Sequence, residues 1–378
     1  MLEKINLENF KSARDLQVKL APLTVLTGLN GSGKSTVLQA LALLKQSLRT
    51  GTATQNLVLR GELISLGRSE DVQFENSITD EIGFVVKTPN GEVRFSAPTI
   101  TGVDTLPLRC IGDSDDVVAQ LESGFQFIQA DRITPAVHYQ QANTLARSNG
   151  WLGCGGENTV DFLSRNQDMK VSSERFFTRD HNLLKADLLN QVAPTESLLD
   201  QTSGWLQHLS PGVRLHAVPV DLADATSLQF FYTGTSVDSE SRKHRPCNVG
   251  FGLTYCLPII VACLAAPKGA LLLLENPEAH LHPRGQVALG QLLARCAADG
   301  VQIIVETHSD HVLNGIRVAA KRAEIASDAV AVHFFSRNVE NGESSITSPV
   351  LYANGRFSDW PDGFFDEWSK ALDELLDI

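Results

Sequence analysis

Gly28-Leu29-Asn30-Gly31-Ser32-Gly33-Lys34-Ser35-Thr36 reads as a glycine, four residues, then Gly-Lys-Ser, the spacing of a phosphate-binding P-loop. Before it, Leu23-Thr24-Val25-Leu26-Thr27 is a short apolar, β-branched run of strand character. After it, Val37, Leu41, Leu44 and Leu48 recur at helical spacing. Strand, glycine loop and helix is the order this chemistry needs. Glycines let backbone N–H groups turn inward around phosphates, and the helix adds its positive end. Asn30, Gly31, Ser32, Gly33 and Thr36 are expected to line a nucleoside-triphosphate site. Lys34 would reach the β- and γ-phosphates, and the Ser35 hydroxyl would sit on Mg²⁺.

A chain of 378 residues, 43% hydrophobic and 20% charged, can bury a large core. The longest apolar run, around residues 256–266, contains Pro258 and is too short to cross a bilayer. Met1-Leu2-Glu3-Lys4 leads into an alternating strand pattern with no signal peptide. The six cysteines have no metal-ligand spacing and read as reduced residues of a cytoplasmic protein. A net charge of −12 argues against a broad nucleic-acid footprint. The most compact basic cluster, Ser241-Arg242-Lys243-His244-Arg245, reads as a solvated loop.

The organisation predicted is a split head: residues 1–51, an insertion over 52–244, and a second part over 245–378. In the insertion, Ile82–Lys87 and Glu92–Ala97 flank Thr88-Pro89-Asn90-Gly91, a hairpin signal. A strand over 125–129 runs into Ala130-Asp131-Arg132. Helices are expected at 157–165, 173–193 and 196–209, and strands at 213–220 and 227–232. From 253 onward helices and strands alternate, which implies a largely parallel sheet. A hairpin through Asn354-Gly355 and a helix from about 364 close the chain.

Ala270-Leu271-Leu272-Leu273-Leu274-Glu275-Asn276-Pro277-Glu278 is an apolar run ending in carboxylates. An acid at the C-terminal end of a buried strand lies in the ligand crevice of an α/β sheet. Glu275 is expected to hold Mg²⁺ and Glu278 to polarise the attacking water as a general base. The bland alternative is a pair of acids at a helix start, where negative charge is favoured anyway. Val301-Gln302-Ile303-Ile304-Val305-Glu306-Thr307-His308-Ser309-Asp310 repeats the design. It places His308 near a γ-phosphate, or else within an ordinary Ser309/Asp310 cap.

Glu-Asn-Pro-Glu-Ala-His-Leu-His-Pro at 275–283 and Glu-Thr-His-Ser-Asp-His at 306–311 resemble ABC-type ATPases of the AAA15/OLD-like group. Asn248-Val249-Gly250-Phe251-Gly252 and Trp360-Pro361-Asp362-Gly363-Phe364-Phe365-Asp366 resemble the subgroup with a DUF3696 tail. The resemblance implies an α/β fold: an ABC-type, Rad50/SMC-like P-loop ATPase head with an inserted strand-and-helix subdomain. It assigns 28–36 to Walker A, Glu275 to Walker B, Glu278 to the catalytic glutamate and His308 to the switch histidine. Residues 279–282 take the D-loop position; the His280-x-His282 spacing lacks further ligands for a metal. Asn248, Gly250 and Gly252 take the signature position facing a partner's nucleotide, with Gly250 where related proteins have serine and Thr254 or Asn248 to take the place of the missing hydroxyl. Gln129 or Arg132 is the candidate Q-loop sensor.

These assignments imply ATP and Mg²⁺ as cofactors and a homodimer around two ATP. No room is expected for a Toprim nuclease after His308, so a separate effector, a nuclease or a toxin, is expected as partner. The implied role is a regulatory ATPase of prokaryotic anti-phage defence or genome maintenance. The alternative is a Rad50/RecF-like DNA-binding repair ATPase, against which the acidic charge and the lack of coiled-coil heptads weigh. A transporter subunit is disfavoured by the unusual signature segment.

Overall fold

In chain order the strands are β1 (Lys4–Phe10), β2 (Ala13–Lys19), β3 (Leu23–Gly28), β4 (Gln55–Val58), β5 (Glu81–Thr88), β6 (Gly91–Pro98) and β7 (Thr105–Ile111). Then come β8 (Gln126–Ile128), β9 (Tyr139–Gln140), β10 (Val213–Val220), β11 (Ala225–Tyr232) and β12 (Leu271–Glu275). β13 (Gln302–Glu306), β14 (Val330–Arg337) and β15 (Ser344–Thr347) complete the set. The computed structural model describes residues 1–48, 55–177, 193–232, 242–361, 363–365 and 367–376. Most of the helix expected over 173–193 therefore lies outside the described residues, as do Ser241, Asp362 and Asp366. The first residues of that stretch, Ser173–Arg175, form a 3-10 turn.

The chain divides into two compact units. The first comprises Met1–Ser123, Gln302–Asp310 and Ala326–Ile378. Its antiparallel sheet has the order β2-β1-β5-β6-β7-β4. β2 alternates as a half-buried strand should: Ala13, Leu16 and Val18 face inward, with charged and polar residues between them. The expected hairpin forms β5 and β6, with Thr88 paired to Gly91, so that Pro89 and Asn90 make the two-residue turn. Proline at the first central position and glycine at the last suit a tight turn.

The P-loop strand β3 behaves differently. It pairs in parallel with β13 on one side and β14 on the other. Leu23 through Thr27 are all buried, giving the continuous apolar run of a strand enclosed on every side. β14 turns back through an antiparallel β15. The segment around Asn354-Gly355, expected as a hairpin, folds back on itself through an antiparallel bridge of Leu351 to Phe357 and the backbone bonds of Tyr352 to Arg356 and Ser358 to Val350, without forming named strands. Phe364 is fully buried and packs edge-on against Phe334, Phe357 and Trp360, so the aromatic tail motif is a local core.

The second unit comprises Gly124–Val301 and His311–Ile325. β8 pairs in parallel with β12, and Leu271 to Leu274 are fully buried. β10, β11 and β9 form a separate antiparallel sheet. The helix Phe251–Ala265 is buried continuously from Leu253 to Leu264. A helix apolar on every face belongs in a core, which accounts for the longest apolar run in the sequence. The helices Pro283–Ala298 and Asp310–Lys321 meet at two glycines: a Cβ on Gly315 would lie 3.1 Å from the Gly290 Cα.

Candidate active site

In the first unit, β3 ends at Gly28 and the helix Lys34–Ser47 begins five residues later. Gly31 and Gly33 hold φ of +75° and +100°, values that L side chains rarely adopt. The helix has no side-chain cap and no acidic residue in its first turn. Other helices here recruit a cap, Ser197 for Leu198–Leu206 and the His282 ring for Pro283–Ala298. Asp115–Glu122, Thr159–Arg165 and Phe251–Ala265 also lack a side-chain cap, so the open start at Lys34 can serve an anionic ligand but does not by itself mark one.

Lys34 is 3% exposed, and its ammonium donates to the carbonyls of Gly28 at 3.0 Å and Leu29 at 2.7 Å. Glu306, the last residue of β13, lies 3.9 Å from the same nitrogen. Burial pushes the Lys34 pKa down, and the Glu306 carboxylate opposes that shift. Among the described residues the Ser32 hydroxyl and Glu306 Oε2 are buried with no hydrogen-bond partner. A cation folded back on its own loop carbonyls, together with an orphaned buried hydroxyl, fits a phosphate-binding loop. Ser35 follows Lys34 in the first turn of the same helix.

His308 is exposed, between β13 and the helix Asp310–Lys321. Its neighbours are pinned. Thr307 is fully buried, its N–H donates to the Leu26 carbonyl at 3.0 Å, and its hydroxyl accepts from the Ser309 N–H at 3.1 Å. The strand end thereby presents His308 from a fixed backbone next to the P-loop strand.

In the second unit, Glu275 ends β12. One of its oxygens accepts from the Ala130 N–H at 3.0 Å. Arg132 donates to the carbonyls of Glu275 at 2.7 Å and Asn276 at 2.8 Å, and to that of Gln129 at 3.2 Å. Its guanidinium lies 4.3 Å from the centre of the Tyr255 ring, and burial pushes its pKa down. Tyr255 in turn donates to the Ala130 carbonyl. Arg132 is 3% exposed and binds carbonyls, so it clamps the end of β12 to the 129–132 segment. Gln129 is half-buried beside it, its own N–H donating to the Cys154 carbonyl.

Glu278 lies in the turn after β12, before the helix that starts at Pro283, and not at a helix start. Asn276 adopts φ +42° at the head of that turn, and its side-chain oxygen is buried without a partner. His280 packs against Phe251 at 4.6 Å and Tyr255 at 4.9 Å. His282 accepts from the Arg284 N–H. Both histidines have structural work, and among the described residues no cluster of His, Cys, Asp or Glu could hold a metal ion.

Asn248 and Gly250 are exposed ahead of the helix Phe251–Ala265. A Cβ on Gly250 would meet nothing within 4 Å, whereas one on Gly252 would lie 2.6 Å from the His280 carbonyl. Gly252 is therefore required by its own chain. Thr254 is fully buried, so it presents no hydroxyl at the surface. Two contributors escaped the sequence reading. Glu306 had a signal, an acid closing an apolar strand as Glu275 does. The carbonyl clamp of Arg132 had none.

A P-loop strand between parallel neighbours, with acids closing β12 and β13, fits the fold of an ABC-type ATPase head. Solved structures agree on the fold. An Smc head bound to the C-winged helix domain of ScpA matches with a TM-score of 0.54 at 17% identity, over 93% of this chain and 98% of that one. The Smc head with an extended coiled coil bound to the C-terminal domain of ScpA from Pyrococcus furiosus gives 0.54 at 16% identity, over 100% and 99%.

Three family descriptions match the sequence. Residues 1–95 match the "AAA ATPase domain", residues 170–314 "AAA domain, putative AbiEii toxin, Type IV TA system", and residues 325–375 the protein of unknown function DUF3696. A protein named OLD nuclease, from Thermus scotoductus, is 41% identical over 345 residues, 82% of this chain. The chain spans 59% of that relative's length. The chain fits the OLD-like ATPase group with a DUF3696 tail. Among the described residues no helix is long and apolar enough to cross a membrane.

Proposed function

We propose that the chain binds and hydrolyses ATP with Mg²⁺, dimerises around two nucleotides, and uses that cycle to control a separate effector in prokaryotic defence or genome maintenance. The observation that carries the reading is Lys34, buried and folded onto its own loop carbonyls above an uncapped helix start. In this reading Lys34 and the amides of residues 30–36 hold the phosphates, and Ser35 and Glu275 are metal ligands. Glu278 holds and deprotonates the attacking water, and His308 senses the γ-phosphate. Mg²⁺, when bound, neutralises charge on the phosphates; the residues supply position and electrostatics, the main terms in phosphoryl transfer. Similarity to a protein named OLD nuclease supports a nuclease as the effector. A cytoplasmic location is part of this reading, from the reduced-cysteine pattern of the sequence.

Lys34→Ala tests the nucleotide reading. Without the ammonium the phosphates lose their point charge. Isothermal titration of the folded variant should show no ATP binding, and wild-type affinity would remove the P-loop assignment.

A further inference from the structure

The segment matched by a family of unknown function begins at residue 325 and includes β14 and β15. These strands reach the P-loop at both of its ends. At the first end, β14 runs parallel to β3 up to the pairing of Phe335 with Gly28. There the Phe335 carbonyl occupies the space that a Cβ on Gly28 would fill. At the second end, Ser344, the first residue of β15, is 4% exposed and its hydroxyl lies 2.8 Å from the Ser32 carbonyl. The same hydroxyl is 2.7 Å from the Ser12 hydroxyl, and the Ser344 N–H donates to the Ser12 carbonyl at 2.8 Å.

The proton positions follow from chemistry. A carbonyl can only accept, so the one proton of Ser344 goes to Ser32, and Ser12 must donate to Ser344. The result is a directed chain from the β1–β2 loop, through the tail, to the loop that would carry phosphate. Gly33 shows how closely the tail approaches. Its missing Cβ would collide with the hydroxyls of both Ser344 and Ser12, and its φ of +100° is open only to glycine.

We propose that the tail hairpin is a clamp on the P-loop, and that Ser344 is the positioning residue that keeps residues 28–34 in the phosphate-binding shape. The proposal rests on the nucleotide reading above and gives the tail a task within it. It also sets a linkage. Whatever lifts β15 from Ser32 weakens ATP binding, and ATP must hold β15 in place by the same factor. A loop that is already shaped binds more tightly because less order is lost on binding. Ser344 would not alter the chemical step.

The test is hydrogen–deuterium exchange of residues 28–36 in the nucleotide-free protein, paired with ATP titration and steady-state kinetics. Ser344→Ala should speed loop exchange and raise the ATP dissociation constant and KM about fivefold, the scale of one hydrogen bond, with kcat within about twofold. Ser345→Ala, on the exposed neighbouring position, should match wild type in every readout. Ser12→Ala, which leaves the bond to Ser32 in place, should have a smaller effect in the same direction. A folded Ser344→Ala with wild-type exchange and affinity overturns the clamp. If Ser344→Ala does not fold, the near-isosteric Ser344→Cys, whose thiol is a weak donor, decides, and wild-type exchange and affinity in that variant overturn the clamp. A wild-type protein that binds no ATP would sink the nucleotide reading, while the exchange arm still judges the clamp.

Discussion

Two buried titratable side chains set expectations at the scale of single residues. The ammonium of Lys34 is weakened by burial and supported by Glu306 at 3.9 Å. Glu306→Gln removes that support and keeps the shape, so Lys34 should lose its proton at a lower pH. ATP affinity measured from pH 7.5 to 9.5 should then fall earlier in the variant than in wild type. Coincident curves would show that the carboxylate does not act on the amine. His333, 3% exposed, has Nε2 2.7 Å from the Lys19 carbonyl and Nδ1 2.7 Å from the Ser348 hydroxyl. The carbonyl fixes the proton on Nε2, so Ser348 donates to Nδ1 and the neutral ring is satisfied. Burial pushes its pKa down, so below about 6.5, where an unfolded histidine takes up its proton, the unfolded state gains and stability falls. His333→Gln should shrink the loss of urea midpoint between pH 7.5 and 5.5. An unchanged loss would assign the effect to other groups.

Packing between elements imposes constraints of its own. Gly290 and Gly315 bring two helix backbones together, and a Cβ on either would run into a carbonyl of the other helix, Val312 or Val287. Gly290→Val or Gly315→Val should cost about 1–3 kcal/mol, the usual scale of overpacking. Urea unfolding measures it, and a loss below about 0.5 kcal/mol would mean that the helices separate freely. Gly252 is bound in the same way to the His280 carbonyl. A bulky side chain there would disturb its own chain first, so it makes a poor reporter of contacts with a partner. Gly250 has open space around its Cβ position and an ordinary φ of −59°.

For the whole molecule, the proposed dimer is the property to test. Two acidic chains must approach around two nucleotides, so Mg²⁺, Lys34 and the helix termini have to offset repulsion. Glu278→Gln should bind ATP, turn over about 10²-fold more slowly, and sediment as a dimer only with ATP-Mg²⁺. Adding Gly250→Glu to that variant should return it to monomer without changing its folding or ATP affinity. A monomer under all conditions rejects the dimer. A dimer that forms equally without ATP would place the association elsewhere on the chain.

The sequence by itself determined the local chemistry. The P-loop, the strand ending in Glu275, the strand ending in Glu306 and the tail motif are contiguous, and short-range spacing encodes them. The type of many elements followed for the same reason, since periodicity is a local signal, but β4, β7, β15 and the helix Asp115–Glu122 were not anticipated. Boundaries shifted where context intervened, as at Phe251, where the helix starts two residues ahead of the expected 253. Tertiary structure alone decided which distant residues serve these motifs. Ser344 lies more than three hundred positions from Ser32, and Glu306 is comparably far from Lys34. Arg132 closes on carbonyls at 275 and 276, and Gly252 owes its identity to His280. Hydrogen bonds to carbonyls and the space denied to a Cβ leave no periodic trace in a chain. They exist only once the backbone has brought the atoms together.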